Sequence, residues 1–145
     1  MPVLIQKIQH FPDDPNLIEL LVSVYIFDNN WEKAWNQRRA LDMRFKNEQG
    51  RRVLEFAFYI YESQQWSLAS KVFDYLSKRY PMSNQKSRWQ QMSIAAREQV
   101  VLGKEKPETE EVRNLISAYQ KLRSDRVDDA ISLTAYWQEA KLYAY

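Results

Sequence analysis

Apolar side chains recur every three or four positions along most of this chain, the spacing of helices with one face turned inward. Leu4, Ile5, Ile8 and Phe11 form the first stripe. Pro12-Asp13-Asp14-Pro15 then stops and restarts the chain, with Pro15 or Asn16 in the next first turn. Residues 16–28 are apolar almost all round. Within them Leu21 to Phe27 is β-branched and aromatic enough to suit a buried strand. Helix is the better expectation, because the run is long for a strand and no hairpin turn follows.

Asn29 with Glu32 has capping-box spacing and opens a helix expected to reach about Lys46. Asn47 to Gly50 breaks the chain, and Arg51 to Glu62 forms another apolar helix. After Ser63-Gln64-Gln65, residues 66–80 place Leu68, Ala69, Val72, Phe73 and Leu76 on one helical face, and Pro81 ends it. A more polar helix is expected over 84–102, then a loop through Pro107. Glu108, Glu110 and Glu111 suit the N-terminus of a helix over 108–123. Ser124-Asp125 turns the chain into a last helix from about Arg126.

One phrase occurs twice. Trp31 and Trp66 each open Trp-x-x-Ala, 35 residues apart, with Asn29-Asn30 and Gln64-Gln65 in front and Ala34 and Ala69 behind. A period near 34 residues is the mark of stacked helical hairpins. Two glycines in 145 residues agree with it. Sheet turns and phosphate-cradling loops both need glycine for its positive φ and close backbone approach.

These residues resemble the tetratricopeptide repeat (TPR) family. Its helix-turn-helix units stack into a right-handed solenoid of antiparallel hairpins, so an all-α fold is expected. The match is best over residues 50–81: Ala57 stands at the small-residue position, Trp66, Ala69 and Phe73 at second-helix packing positions, and Pro81 at the end. Residues 15–49 match through Tyr25, Trp31 and Ala34, but Val22 replaces the small residue. Residues 1–12 resemble the end of a preceding repeat, since Phe11-Pro12 parallels Tyr80-Pro81. After Pro81 the expected pattern is a degenerate hairpin (84–123) and an unpaired helix (126–145); Val127 and Ala130 echo Trp66 and Ala69 out of period. With both ends looking cut, the chain reads as a fragment of a longer array whose ends self-associate.

Composition narrows the function. The chain is 45% hydrophobic and 28% charged, with a net charge of +2 and no cysteine. Mean hydropathy is −0.64. Disulfides and thiolate metal sites are excluded, and no run approaches the roughly 18–20 apolar residues of a membrane helix. Met1 to Pro12 has no basic leader, apolar centre or small-residue cleavage site, so it does not read as an export signal. His10 is the only histidine, and no serine sits in a Gly-x-Ser-x-Gly elbow. The acidic cluster Glu105, Glu108, Glu110 and Glu111 reads as a solvated helix start. No catalysis, cofactor or metal is expected.

The aromatics Tyr25, Trp31, Phe56, Trp66 and Phe73 fit the core. By the resemblance, a partner segment binds a concave groove lined by the first helix of each hairpin. That groove holds Glu19, Ser23, Ile26 and Phe27, then Arg51, Leu54, Glu55, Phe58 and Tyr61, then Arg88, Trp89 and Met92. Its apolar character suits a protein or peptide with aromatic or aliphatic anchors; packing against a neighbouring helix is the competing role for these side chains. Family members that grip acidic chaperone C-termini use a Lys, Asn and Arg clamp. Here those positions are Glu19, Ser23, Glu55, Gln85 and Trp89, which argues against that partner. The rival class is an RNA-binding helical repeat using Arg38, Arg39, Arg44, Lys46, Arg51 and Arg52, although Asp42, Glu48 and Glu55 dilute that stretch. The 69–81 pattern resembles envelope-assembly as well as cytosolic repeat proteins of bacteria, so cytoplasm and periplasm both stay open.

Overall fold

The computed structural model describes residues 2–11, 14–44, 50–124 and 129–143. Among them the chain forms eight α-helices and no strand: α1 (Pro2–His10), α2 (Pro15–Phe27), α3 (Trp31–Arg44), α4 (Arg51–Glu62), α5 (Trp66–Arg79), α6 (Lys86–Leu102), α7 (Thr109–Ser124) and α8 (Asp129–Leu142). The boundaries fall close to the proline, glycine and Asn/Gln punctuation of the sequence. The expected breaks at Pro12-Asp13, Asn47 to Gln49 and Asp125 lie outside the described residues, as does Val127. Asp14 caps α2 by accepting a hydrogen bond from the Asn16 amide at 2.9 Å, with Pro15 at the first helical position. Gly50 has φ 80° and its carbonyl accepts from the Leu54 amide, so this left-handed position before α4 favours glycine.

The two Trp-x-x-Ala phrases sit in the same local structure. After α2, the Asn29 amide bonds the Ile26 carbonyl and the Asn30 amide bonds the Tyr25 carbonyl. After α4, Gln64 bonds Tyr61 and Gln65 bonds Ile60. Both Asn29 (φ 56°) and Gln64 (φ 61°) are left-handed. This is a Schellman ending, and it recurs at the sequence period. The carbonyls of Asn30 and Gln65 then receive the amides of Ala34 and Ala69 to start the next helix. Asn29 therefore closes α2, and Asn30, not Asn29, stands immediately before α3.

A Cβ in the left-handed region costs about 1–2 kcal/mol, partly offset by the entropy glycine loses on folding. Gln64→Gly should therefore stabilise the protein by about 0.5–1 kcal/mol in urea denaturation. Gln64→Val should destabilise it; equal midpoints for the two variants would contradict the turn geometry.

The chain divides into two compact units, residues 1–56 and 57–145, with the boundary inside α4. In the first, α1 packs on α2 and α2 on α3. Ile18, Leu21, Val22, Ala34, Trp35, Leu41, Val53 and Phe56 are buried. Trp35 stacks on Phe56 with ring centroids 6.2 Å apart. In the second, α5 packs on α6, α6 on α7, and α7 on α8.

Here the expected unpaired final helix is corrected: α8 lies against α7 and also touches α6. Leu115, Tyr119 and Leu122 of α7 form an apolar face that needs a cover, and Ala135 and Leu142 of α8 join them in one cluster. No described helix is long and apolar enough to cross a membrane.

Candidate functional site

The residues assigned to the groove by position have unequal surroundings. In the first unit, Glu19 of α2 is half-buried and tied to two arginines, Arg38 of α3 and, at 2.6 Å, Arg52 of α4. Burial alone would push this carboxyl up, but the two guanidinium groups outweigh it and hold its pKa below the usual value. Glu19 thus joins three helices. Ser23 is exposed and its hydroxyl donates to the Glu19 carbonyl. Ile26 is half-buried, while Phe27 at the end of α2 is 87% exposed. Arg51 and Glu55 pair with each other at 3.1 Å on the exposed side of α4, and Leu54 is half-buried. Such a solvated pair contributes a few tenths of a kcal/mol.

A depressed carboxylate gives pH-dependent stability of known sign. The contribution is complete above the ordinary glutamate value of about 4.3 and is lost as pH falls through the lower folded value. Wild type should therefore exceed Glu19→Gln in stability near neutrality, with the gap closing below about pH 4. Urea midpoints for both proteins across that range measure it; a gap independent of pH would contradict the clasp.

In the second unit, Phe58 and Tyr61 both meet Phe73 with steeply inclined rings, centroids 5.6 and 6.3 Å apart, and Tyr61 meets Trp66 at 4.9 Å. Phe58 keeps 37% exposure and Tyr61 is half-buried. Burial and, next, the carboxylate of Glu98 push the Tyr61 hydroxyl pKa upward. Arg88 is exposed and Met92 half-buried. Trp89 is only 6% exposed, so its ring packs inside and presents little surface to a partner. The accessible aromatic surface of these positions is therefore Phe27 in one unit and Phe58 with part of Tyr61 in the other.

The core aromatics also divide. Phe56 and Phe73 are buried, whereas Tyr25, Trp31 and Trp66 are half-buried. Each of the two tryptophans occupies the first position of its helix, where one side of the indole faces solvent, and the fully buried member of each phrase is the alanine. Trp35, not singled out from sequence, is the indole that fills the first unit. Arg39 lies over it, 5.8 Å from the ring centroid.

The basic stretch is largely engaged: Arg38 and Arg52 with Glu19, Arg51 with Glu55, Arg39 with Trp35. Lys46 lies outside the described residues. His10 is exposed. Among the described residues, no three histidine or carboxylate side chains converge as a metal ion would require.

Sequence reasoning missed a buried polar network in α6, α7 and α8. Glu98 of α6, 2% exposed, accepts a hydrogen bond from the Tyr119 hydroxyl at 2.7 Å and lies 3.2 Å from Lys141 Nζ. Glu139 of α8 is also buried, 2.6 Å from Arg123 and accepting from the Gln120 amide at 2.8 Å. The available signal was a glutamate on the inward stripe of α6 beside Ile94 and Val101.

These helices define an all-α protein in which the turns after α2 and α4 share one hydrogen-bond pattern. No protein-family model matches the chain, and no curated protein matches it.

Proposed function

We propose that this chain is a non-catalytic interaction scaffold: a TPR-like right-handed solenoid whose first helices hold a partner protein segment in a concave groove. The observation that carries the reading is the repeat of one Schellman turn and helix start at 35 residues, with the same hydrogen bonds and the same buried alanine. Repetition of one supersecondary unit is how helical arrays build extended binding surfaces. Phe27 and Phe58, both exposed on first helices of such hairpins, supply apolar anchor points. The engaged state of Glu19 leaves no free carboxylate there to repel or attract a charged segment.

RNA binding is the less supported alternative, because four of the arginines assigned to it already have protein partners.

The test is selection of peptides from a random display library against the full chain. Recovered sequences should share aromatic or aliphatic anchors. Phe27→Ala and Phe58→Ala should each weaken their binding about fivefold or more while leaving the helical circular dichroism intact. Peptides that bind a folded double variant as well as they bind wild type would overturn the groove.

A further inference from the structure

A recess of about 440 Å³ is lined by α5, α6 and α7, and four of its eleven lining residues are cationic. Lys71 and Lys78 come from α5, Arg97 from α6 and Lys121 from α7; Asp74 is the only carboxylate in the lining. Four cations to one acid is a strong local excess in a chain whose whole net charge is +2. They are also held there by tertiary packing, since α5 packs on α6 and α6 on α7. No single helix face carries them.

We propose that this recess binds a compact, multiply charged anion of the phosphate class. A concave wall of one sign focuses its field into the recess and raises the local concentration of counter-ions. Arg97 and Lys121 are exposed and have no ion-pair partner among the described residues. Lys78 holds Asp74 at 2.8 Å, in a solvated pair that an incoming anion displaces at little cost. Lys121 and Lys78 supply point charges and Arg97 a planar fork, a mixture that suits tetrahedral phosphoryl oxygens.

The floor is neutral and already satisfied. The Ser93 hydroxyl donates to the Ser70 carbonyl at 2.9 Å, with the two hydroxyl oxygens 3.1 Å apart, and Gln90 adds an amide to the wall. The volume lies in the range of small-ligand sites, about 300–1,000 Å³. A nucleic-acid strand would instead need a continuous basic track with exposed stacking platforms, and none of the eleven lining residues is aromatic. The site stands independently of the partner groove, because it uses different residues.

The experiment titrates inorganic pyrophosphate into the full chain at low salt, followed by calorimetry and amide chemical shifts. Saturable binding is expected, with shifts centred on Ser93, Arg97 and Lys121. Arg97→Gln and Lys121→Gln should each weaken it about tenfold, the worth of one charge-assisted hydrogen bond. Lys33→Gln, on α3 beside Tyr25, should leave it unchanged. Circular dichroism checks that each variant keeps its helices.

A phosphoserine peptide that competes with pyrophosphate would place the phosphate on a partner chain, and failure to compete would leave a free anion as the ligand; both keep the site. The proposal is overturned by absent saturation at millimolar pyrophosphate, by equal weakening in Lys33→Gln, or by RNA binding more tightly than pyrophosphate through the same residues.

Discussion

Phe73→Ala should destabilise the protein by about 3–5 kcal/mol, a large part of the roughly 5–15 kcal/mol that holds a typical domain together. Phe73 is completely buried, and the rings of Phe58 and Tyr61 both pack against it. Truncation removes the ring's own burial and leaves a void that the two neighbouring rings cannot collapse to fill. Trp66→Ala should be milder, because Trp66 is half-buried and part of its indole already faces water. Urea denaturation of both variants decides the order. Equal losses would mean that Trp66 is as enclosed as Phe73, and a neutral Phe73→Ala would put the wrong face of α5 inside.

The second large effect lies in the C-terminal three helices. Tyr119→Phe removes the neutral donor from a carboxylate that is nearly inaccessible, and should cost about 1.5–3 kcal/mol. Lys141 alone cannot compensate, since it is half in solvent and reaches the other oxygen of Glu98. Adding Glu98→Leu to Tyr119→Phe should restore much of that loss. With no buried charge left, the site becomes an apolar contact and Lys141 returns to water. Additive losses in the double variant would contradict a coupled pair.

The same hydroxyl titrates late: burial first, then Glu98, push the Tyr119 pKa well above its ordinary value of 10.0. Its contribution is therefore complete below about pH 10 and fades as pH rises through the folded value.

Helix positions were legible because the chain marks them with strong local signals. Pro15, Pro81 and Pro107 each fix the local backbone, and Gly50 opens a left-handed turn, local effects that no distant contact overrides. The inward stripe of α5 was legible for the same reason, as Leu68, Ala69, Val72, Phe73 and Leu76 are all buried. What escaped depended on partners far along the chain. Glu19 reads as an open groove residue until Arg38 and Arg52, 19 and 33 residues later, arrive beside it. Glu98 drew no notice in the sequence, because its partner Tyr119 comes from α7, 21 residues on.

Trp89 shows a different failure. Its position within a repeat assigned it to the groove, but α6 turns that indole inward, and periodicity does not report rotation of a helix about its axis. Trp31 and Trp66 were placed in the core by size, whereas their location at a helix start limits how far each can be enclosed. The turns were legible as breaks only. Asn29 is a residue type that tolerates the left-handed region at a helix end, but nothing in Gln64-Gln65 announces it.

The scaffold reading depends on α2–α3 and α4–α5 being two copies of one hairpin, and nuclear magnetic resonance of the full chain tests that directly. Backbone couplings and chemical shifts at Asn29 and Gln64 should both report positive φ, with slow amide exchange at Asn30 and Gln65, whose protons are held by Tyr25 and Ile60. Helical φ at either residue, or fast exchange at one turn and not the other, would mean that the two tryptophan-led helices are joined differently and that the repeat is not there.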